Sequence, residues 1–552
     1  MIFGDIFYLI LEILLGGLSF AIAVIAGKSA SSKYKMIYLA APVVTVIFIA
    51  LTGFDRIFIA AYITAGLLIL GFFFEKKVLR QVLSMLVVVT MIVEFVICDT
   101  SSWYREPDYV AEFKYAYELM EEHYVLAEHK NIDFDALYKK YLPQIKDAAR
   151  RHDKTDVCIA WASFCNEFKD GHVSFMPDMS EAEFEAVKEK MYGNDYGFSL
   201  IRKSDGKIVA VNVEAGSDAE KAGIKNGTII TEWNGQSVED MITAFDAPQL
   251  MNMPVKESED FLKVIYAAGQ GGDCLTVSFI GSDDTENTAA LNKIGAYSER
   301  LDKTLSKILE GKLETNLSVS RLNETTAFIR IDSMGYDSSS YGSGDYNKMY
   351  EELRNNLQLQ KDAGVTNLII DLRDNSGGDP GFDKTVFRLL FPEGEYIMSY
   401  NSLWDADNGC YMLDEATGGY ALGSANKFYG EGFWGDGKII VLVSASTVSA
   451  GDMFTEVISR LDNVTIMGIT PSNCACQAVR AVADMEFGML SFSAVPDLNA
   501  DGSIYIDTDV TREATIPLDV KVEIDDEFID AVFTRGEDYM VDMALELIGE
   551  LQ

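Results

Sequence analysis

Four apolar stretches, Ile6 to Gly27, Met36 to Phe54, Ile57 to Phe74 and Val82 to Cys98, fill the first hundred of 552 residues and then stop. Each is about the length a helix needs to cross a bilayer, roughly 17–25 residues. Apart from Glu12 and Glu94, charged residues are confined to the short segments flanking these stretches, which argues against a buried helical bundle, and a cleaved leader would supply one apolar run rather than four. The pattern predicts four transmembrane helices over residues 1–100. The connections Lys28–Lys35 and Glu75–Arg80 each carry three basic residues, whereas Asp55-Arg56 is balanced. Basic loops stay inside, so the expected protein is a multi-pass cell-membrane protein with the bilayer as a partner and everything after Cys98 extracytoplasmic. Glu12 and Glu94 fall within the spans, and positions near an interface are favoured for both.

Beyond residue 98 the chain changes character. Residues 1–98 hold seven Lys/Arg and five Asp/Glu, and the remainder holds 39 basic and 80 acidic residues. A surface that acidic repels phosphates, which excludes a nucleic-acid partner. The seven cysteines are irregularly spaced, Cys474-Ala-Cys476 is too close for a CxxC redox pair, and no His or second Cys pair stands beside it at zinc-ligand spacing. No disulfide framework, metal or organic cofactor is expected.

Three further regions follow. Residues 105–185 read as a helical cap, with Phe113, Ala116, Tyr117, Met120 and Tyr124, then Leu137, Tyr141, Ile145 and Ala149, recurring at three- and four-residue spacing. The cap ends in the loop-like string Lys169-Asp170-Gly171-His172-Val173-Ser174-Phe175. Residues 190–290 change to short strands, Lys207–Val213 and Gly227–Trp233, split by a helix at Ser217–Ala222. From Thr326 strands and helices alternate: strands Ala327–Ile331, Asn367–Leu372 and Lys438–Val443, helices Tyr346–Ala363, Phe382–Leu390 and Gly451–Leu461. This favours a largely parallel, helix-covered sheet over residues 315–552, with its site in the loops after the carboxyl ends of the strands.

Two of those strands end in small, polar loops. Leu368-Ile-Ile-Asp-Leu-Arg373 runs into Asp374-Asn375-Ser376-Gly377-Gly378, and Ile439–Val443 runs into Ser444-Ala-Ser-Thr-Val-Ser449-Ala450-Gly451-Asp452. A serine between a strand and a helix N-terminus is placed as a nucleophile, because free N–H groups and the positive end of the helix dipole stabilise a developing oxyanion. Taken alone, Ser449 reads more readily as a helix N-cap. Of the four histidines, His123, His129 and His152 lie in charged helical contexts; only His172 follows a tight Asp-Gly turn, where an imidazole titrating near neutrality can take a hydroxyl proton.

The string Ala222–Ile230 followed by Trp233-Asn234-Gly235 resembles a bacterial PDZ domain. The resemblance implies that Tyr196-Gly197-Phe198-Ser199-Leu200 presents backbone amides to a peptide carboxylate. Together with Asp371–Gly378, Thr447–Asp452 and the Asp170-Gly171-His172 string, the chain from about 105 to 540 resembles the C-terminal-processing (tail-specific) serine peptidases and their tricorn-type relatives. That resemblance implies a ClpP/crotonase-like α/β core, Ser449 as nucleophile, an oxyanion hole from Ala450, Gly377 and Gly378, and a peptide or protein substrate received through its C-terminus. One departure matters: the processing branch uses a lysine about 25 residues after the nucleophile, where this chain has Cys474, and no lysine occurs between Lys438 and Lys521. The tricorn-like branch implies His172 as base and Glu513 near the position of its acid. The rival reading is a catalytically silent receptor that uses the PDZ groove for peptides.

Overall fold

The computed structural model describes residues 108–245, 252–309, 316–336 and 345–549. Three helices come first: α1 (Tyr109–His123), α2 (Phe134–Arg150) and α3 (Lys154–Asn166). Each is opened by an aspartate, Asp108, Asp133 or Asp153, whose carboxylate accepts a backbone N–H three residues on. Such caps satisfy donors that the first turn leaves free and suit the helix dipole. Their inward faces gather Phe113, Tyr141, Ile145, Trp161 and Phe164 into an aromatic core that also takes Leu490 and Phe492 from far along the chain. The chain then turns through Asp170–His172 into β1 (Ser174–Pro177) and α4 (Glu181–Tyr192).

The next stretch contains β2 (Ser199–Arg202), β3 (Ile208–Val211), β4 (Ile230–Trp233), α5 (Lys256–Ala267), β5 (Cys274–Ile280), β6 (Glu286–Asn292) and α6 (Tyr297–Leu309). β2 pairs with β3, and β4, β5 and β6 form an antiparallel sheet with the two-residue strand Gln236–Ser237. Expected and observed elements agree closely here, because the turn residues Asp205-Gly206 and Asn234-Gly235 punctuate the apolar runs.

The last stretch holds β7 (Leu317–Arg321), β8 (Thr326–Ile331), α7 (Tyr346–Asp362), β9 (Asn367–Asp371), α8 (Pro380–Leu390), the hairpin β10 (Gly394–Ser402) and β11 (Leu422–Gly430), β12 (Ile439–Val443), α9 (Ala450–Ile458), β13 (Val464–Gly468), β14 (Ala478–Asp484), β15 (Gly488–Val495), β16 (Val520–Lys521) and α10 (Tyr539–Ile548). A six-stranded sheet runs in the order β7-β8-β9-β12-β13-β16. β7 is antiparallel to β8 and every other neighbouring pair is parallel. Every residue from Ile439 to Val443 is buried, as a strand covered on both faces requires.

Helices of the earlier stretch do not stand apart from this sheet. Leu262, Leu301 and Ile308 share one hydrophobic core with Ile369, Ile440 and Leu442 of the sheet and with Met540 and Ala544 of α10. The short-strand and sheet regions, distinct in sequence pattern, are therefore packed together.

The expected four-helix transmembrane region needs correction. Among the described residues no helix is long and apolar enough to cross a membrane. The longest, α2 and α7, have 17 residues each; at 1.5 Å per residue they reach only about 26 Å, and both carry charges along their length. The four apolar stretches of residues 1–100 lie outside the described residues. The fold described is mixed α/β, and it does not carry the expected multi-pass membrane localisation or the bilayer as a partner.

Candidate active site

β9 and β12 lie side by side and parallel, Leu368 beside Ile439 through Asp371 beside Leu442. Their carboxyl ends therefore open onto one edge, and the two loops are tied together by buried polar groups. Arg373 is 1% exposed; its Nε and Nη2 donate to the two oxygens of Asp371 at 2.9 and 2.8 Å, and Nη1 and Nη2 donate to Asp538 at 2.8 and 2.6 Å. Buried charge pairs in this forked geometry are directional and hold the strand end in one place. From the other loop, Ser444 Oγ donates to Arg373 O at 2.5 Å, Thr447 Oγ1 to Leu372 O at 2.7 Å, and the Val448 N–H to Asn375 O at 3.1 Å.

Ser449 sits at the start of α9 with φ 63° and ψ −121°, a backbone state that L residues adopt only when the surroundings hold them there. A serine on such a sharp strand-to-helix turn is thrust out of the loop, as in a nucleophile elbow. Two acceptors hold it: its N–H donates to Asp452 Oδ2 and to Ala475 O, both at 3.0 Å. Asp452 also accepts the N–H groups of Cys474 at 2.8 Å and Ala475 at 3.1 Å. Burial pushes the Asp452 carboxyl up to about 7, against the pull of the donors around it and with a further push from Asp507.

Gly377 is pressed against the elbow. A Cβ there would fall 2.6 Å from Ser449 Cβ, 2.6 Å from Val448 O and 3.1 Å from the Ala450 nitrogen, and its φ is +79°. Its own N–H is already donated to Asn375 Oδ1 at 2.8 Å. Gly377 therefore contributes close approach, not a free donor. Gly378 differs: Gly377 O and the Asp379 N–H both bond to Met334, which turns the Gly378 amide to the opposite side of the segment. Ala450 is the first residue of α9, so its N–H has no acceptor within the helix. Ala450 thus has a backbone donor at the elbow, and the Gly378 amide points away from Met334.

The His172 turn reaches the same place. A side chain at Gly171 would collide with Asn473 and lie 3.2 Å from Ala475 Cβ, and Ala475 O is the acceptor of the Ser449 amide. This leaves no room for a serine beside the histidine. Asp170 is fully buried and fixes the turn: it accepts the His172 N–H at 2.9 Å, Tyr124 Oη at 3.0 Å and Ser493 Oγ at 2.8 Å. Asp170 thus holds the backbone of His172, while Ser174 Oγ is bonded to Ser491 Oγ. The ring's Nδ1 is buried without a partner among the described residues.

Glu513 is exposed on a loop where its N–H donates to Thr511 Oγ1 at 3.3 Å. Two buried carboxylates that the sequence reading gave no role bond to backbone amides of the site loops. One is Asp452. The other is Asp507, whose Oδ2 accepts the N–H groups of Cys476 and Gln477 at 2.8 and 3.1 Å while Oδ1 has no partner among the described residues. Burial and the neighbouring Asp170 push Asp507 upward. A carboxylate between Ile506 and Thr508 after an apolar Ile504-Tyr505 was the available signal for a buried acid. Cys474 is fully buried with its thiol pushed up to about 11, so it supplies no base in place of the lysine.

The expected peptide loop is closed in this conformation. Tyr196, Gly197, Phe198, Ser199 and Leu200 are all buried. The Gly197 N–H donates to Asp195 Oδ1 at 2.7 Å, Ser199 Oγ is bonded to Tyr297 Oη, and Tyr297 Oη donates to Ile265 O at 2.7 Å. Among the described residues no three His, Cys, Asp or Glu side chains are grouped to hold a metal ion.

Residues 325–497 match Peptidase family S41. The S41 match spans Gly377, Gly378, Ser449, Ala450 and Asp452, and residues 106–158, ending shortly before His172, match the Tricorn protease C1 domain. The structure of mature CPAF complexed with lactacystin is similar, with a TM-score of 0.53 and 13% identity over 80% of this chain and 98% of that one. The crystal structure of mature CPAF gives 0.52 and 12% over the same shares. At such identity the likeness is one of fold. No curated protein sequence matches. The S41 and tricorn matches support a serine peptidase of the C-terminal-processing kind, with a peptide or protein as substrate.

Proposed function

We propose that the chain cleaves peptide bonds through an acyl-enzyme on Ser449. The carrying observation is the elbow itself: a serine held at φ 63° by Asp452 and Ala475, against a glycine whose Cβ position is already filled by Ser449 and Val448, with Ala450 opening the helix after it. Ser449 Oγ forms the bond to the substrate carbonyl carbon, and His172 takes its proton and returns it to the leaving amine. The oxyanion is received by Ala450 and Gly378, fixed donors that need no reorganisation. Water then hydrolyses the ester with His172 again as base.

Asp507 is the better candidate than Glu513 for the acid of the relay, because it is buried, carries one unpaired oxygen and interacts with Asp170, two residues before His172. Capture of a substrate C-terminus by the amides of Tyr196–Leu200 requires the Gly197 N–H to leave Asp195 Oδ1. The test is turnover of an unfolded protein such as casein. The wild type is expected to produce fragments, Ser449→Ala none, and His172→Ala fragments at a rate lower by about 10²–10⁴. Equal turnover by Ser449→Ala would overturn the proposal.

A further inference from the structure

We infer that the free edge of β14 receives the peptide substrate as an added strand, with Val479 and Val482 as its side-chain contacts; this rests on the peptidase reading above. The small sheet has the order β1-β15-β14, so among the described residues β14 is paired on one side only. An open strand edge presents a row of unpaired N–H and C=O groups, a ready template for an extended peptide. Edges are blunted by proline, charge, bulges or a covering element; Ala478–Asp484 carries Arg480, Asp484 and a bulge but no proline, and it leaves two valines 38% and 39% exposed.

The strand is joined to the site by a rigid segment. Ala475 O holds the Ser449 amide, Asp452 holds the Cys474 and Ala475 amides, and Asp507 holds those of Cys476 and Gln477. β14 begins three residues after Ala475, a span of at most about 10 Å. The opposite edge strand, β1, begins two residues after His172, and both edge strands run antiparallel to β15, hence parallel to each other. The sheet therefore starts at the site from both the nucleophile side and the base side.

A break in the register fixes which face the valines take. Val479 is beside Ser493 and Val482 beside Ser491, with a shift at Arg480 between them. Paired residues share a face, and Ser491 and Ser493 are on one face because they are two apart. Val479 and Val482 thus point to the same side as Ser493, whose hydroxyl donates to Asp170, and as Ser174, bonded to Ser491. Without the bulge, residues three apart would point to opposite faces. The occupant that fits is an extended segment of the substrate with apolar side chains a few residues from the cleaved bond.

The experiment uses a casein-derived peptide that the protein cleaves, resynthesised with a single N-methyl group at each position in turn. A strand-added substrate loses kcat/KM by about tenfold or more at alternate positions on one side of the cleaved bond, because only alternate N–H groups face β14. Val479→Asp and Val482→Asp are expected to raise KM severalfold with kcat little changed. Their unfolding midpoints serve as the folding control, since exposed substitutions of this kind normally stay within about 0.5 kcal/mol. Loss without period two, together with unchanged KM in both variants, overturns the inference. Failure of a fluorophosphonate to label wild-type Ser449 would overturn the peptidase reading beneath it instead.

Discussion

Replacing Gly377 by alanine tests the elbow at its tightest point. The added methyl would sit 2.6 Å from Ser449 Cβ and 2.6 Å from Val448 O, where carbon atoms prefer about 3.5–4.0 Å. One of the two loops must therefore retreat by about 1 Å. The positive φ of +79° adds about 1–2 kcal/mol for a residue with a Cβ, and forcing a methyl into a packed place adds about 1–3 kcal/mol. The expected loss of stability is about 2–5 kcal/mol. Activity should fall further than stability suggests, because misplacing a reacting atom by about 1 Å costs about 10²-fold. Gly364→Ala separates the two contributions: φ is +93° but nothing lies within 4 Å of its Cβ position, so it should show the backbone cost alone. The assay is the second-order rate of labelling by a fluorophosphonate, measured beside thermal unfolding. A Gly377→Ala protein that labels at the wild-type rate would refute the packing argument.

Burial raises Asp452 to about 7 and Asp497 to about 6, and it lifts Asp383 well above the carboxylate range. Groups whose folded pKa exceeds the unfolded one, about 3.9, contribute stability that is present at acid pH and lost as pH rises through the folded values. Their part of the stability should fall by a few kcal/mol on the order of magnitude between about pH 4 and 7, and it should flatten in Asp452→Asn and Asp497→Asn; unfolding midpoints measured across that range check this. Asp507→Asn is expected to lower kcat by about 10²-fold or more with a changed pH profile, whereas Glu513→Gln should leave kcat and KM within twofold; the reverse outcome would restore Glu513 as the acid.

Much of the framework could be read from local pattern. Leu368–Ile370 and Ile439–Val443 are short apolar runs that end in Asp, Gly and Ser, which marks buried parallel strands followed by site loops, and the structure places them side by side. Three- and four-residue periodicity marked the first helices for the same reason. What stayed hidden is long-range. Nothing local says that Ala475 accepts the Ser449 amide, that Asp452 turns back to three amides, or that Asp507 is buried while Glu513 is not. Those facts depend on how loops cross. The shared core of Leu262, Ile308, Ile440 and Ala544 was equally invisible, because each residue is apolar in its own element and only packing assigns its partners. The acceptor of the Gly377 N–H, Asn375 Oδ1, was hidden as well, since it is set by a side-chain rotamer.

The most direct test of the central claim is to treat the purified protein with a fluorophosphonate and map the adduct by mass spectrometry. A single adduct on the peptide carrying Ser449, absent in Ser449→Ala and formed much more slowly in His172→Ala, is the predicted result. An adduct elsewhere, or labelling of Ser449 at the same rate without His172, would contradict it.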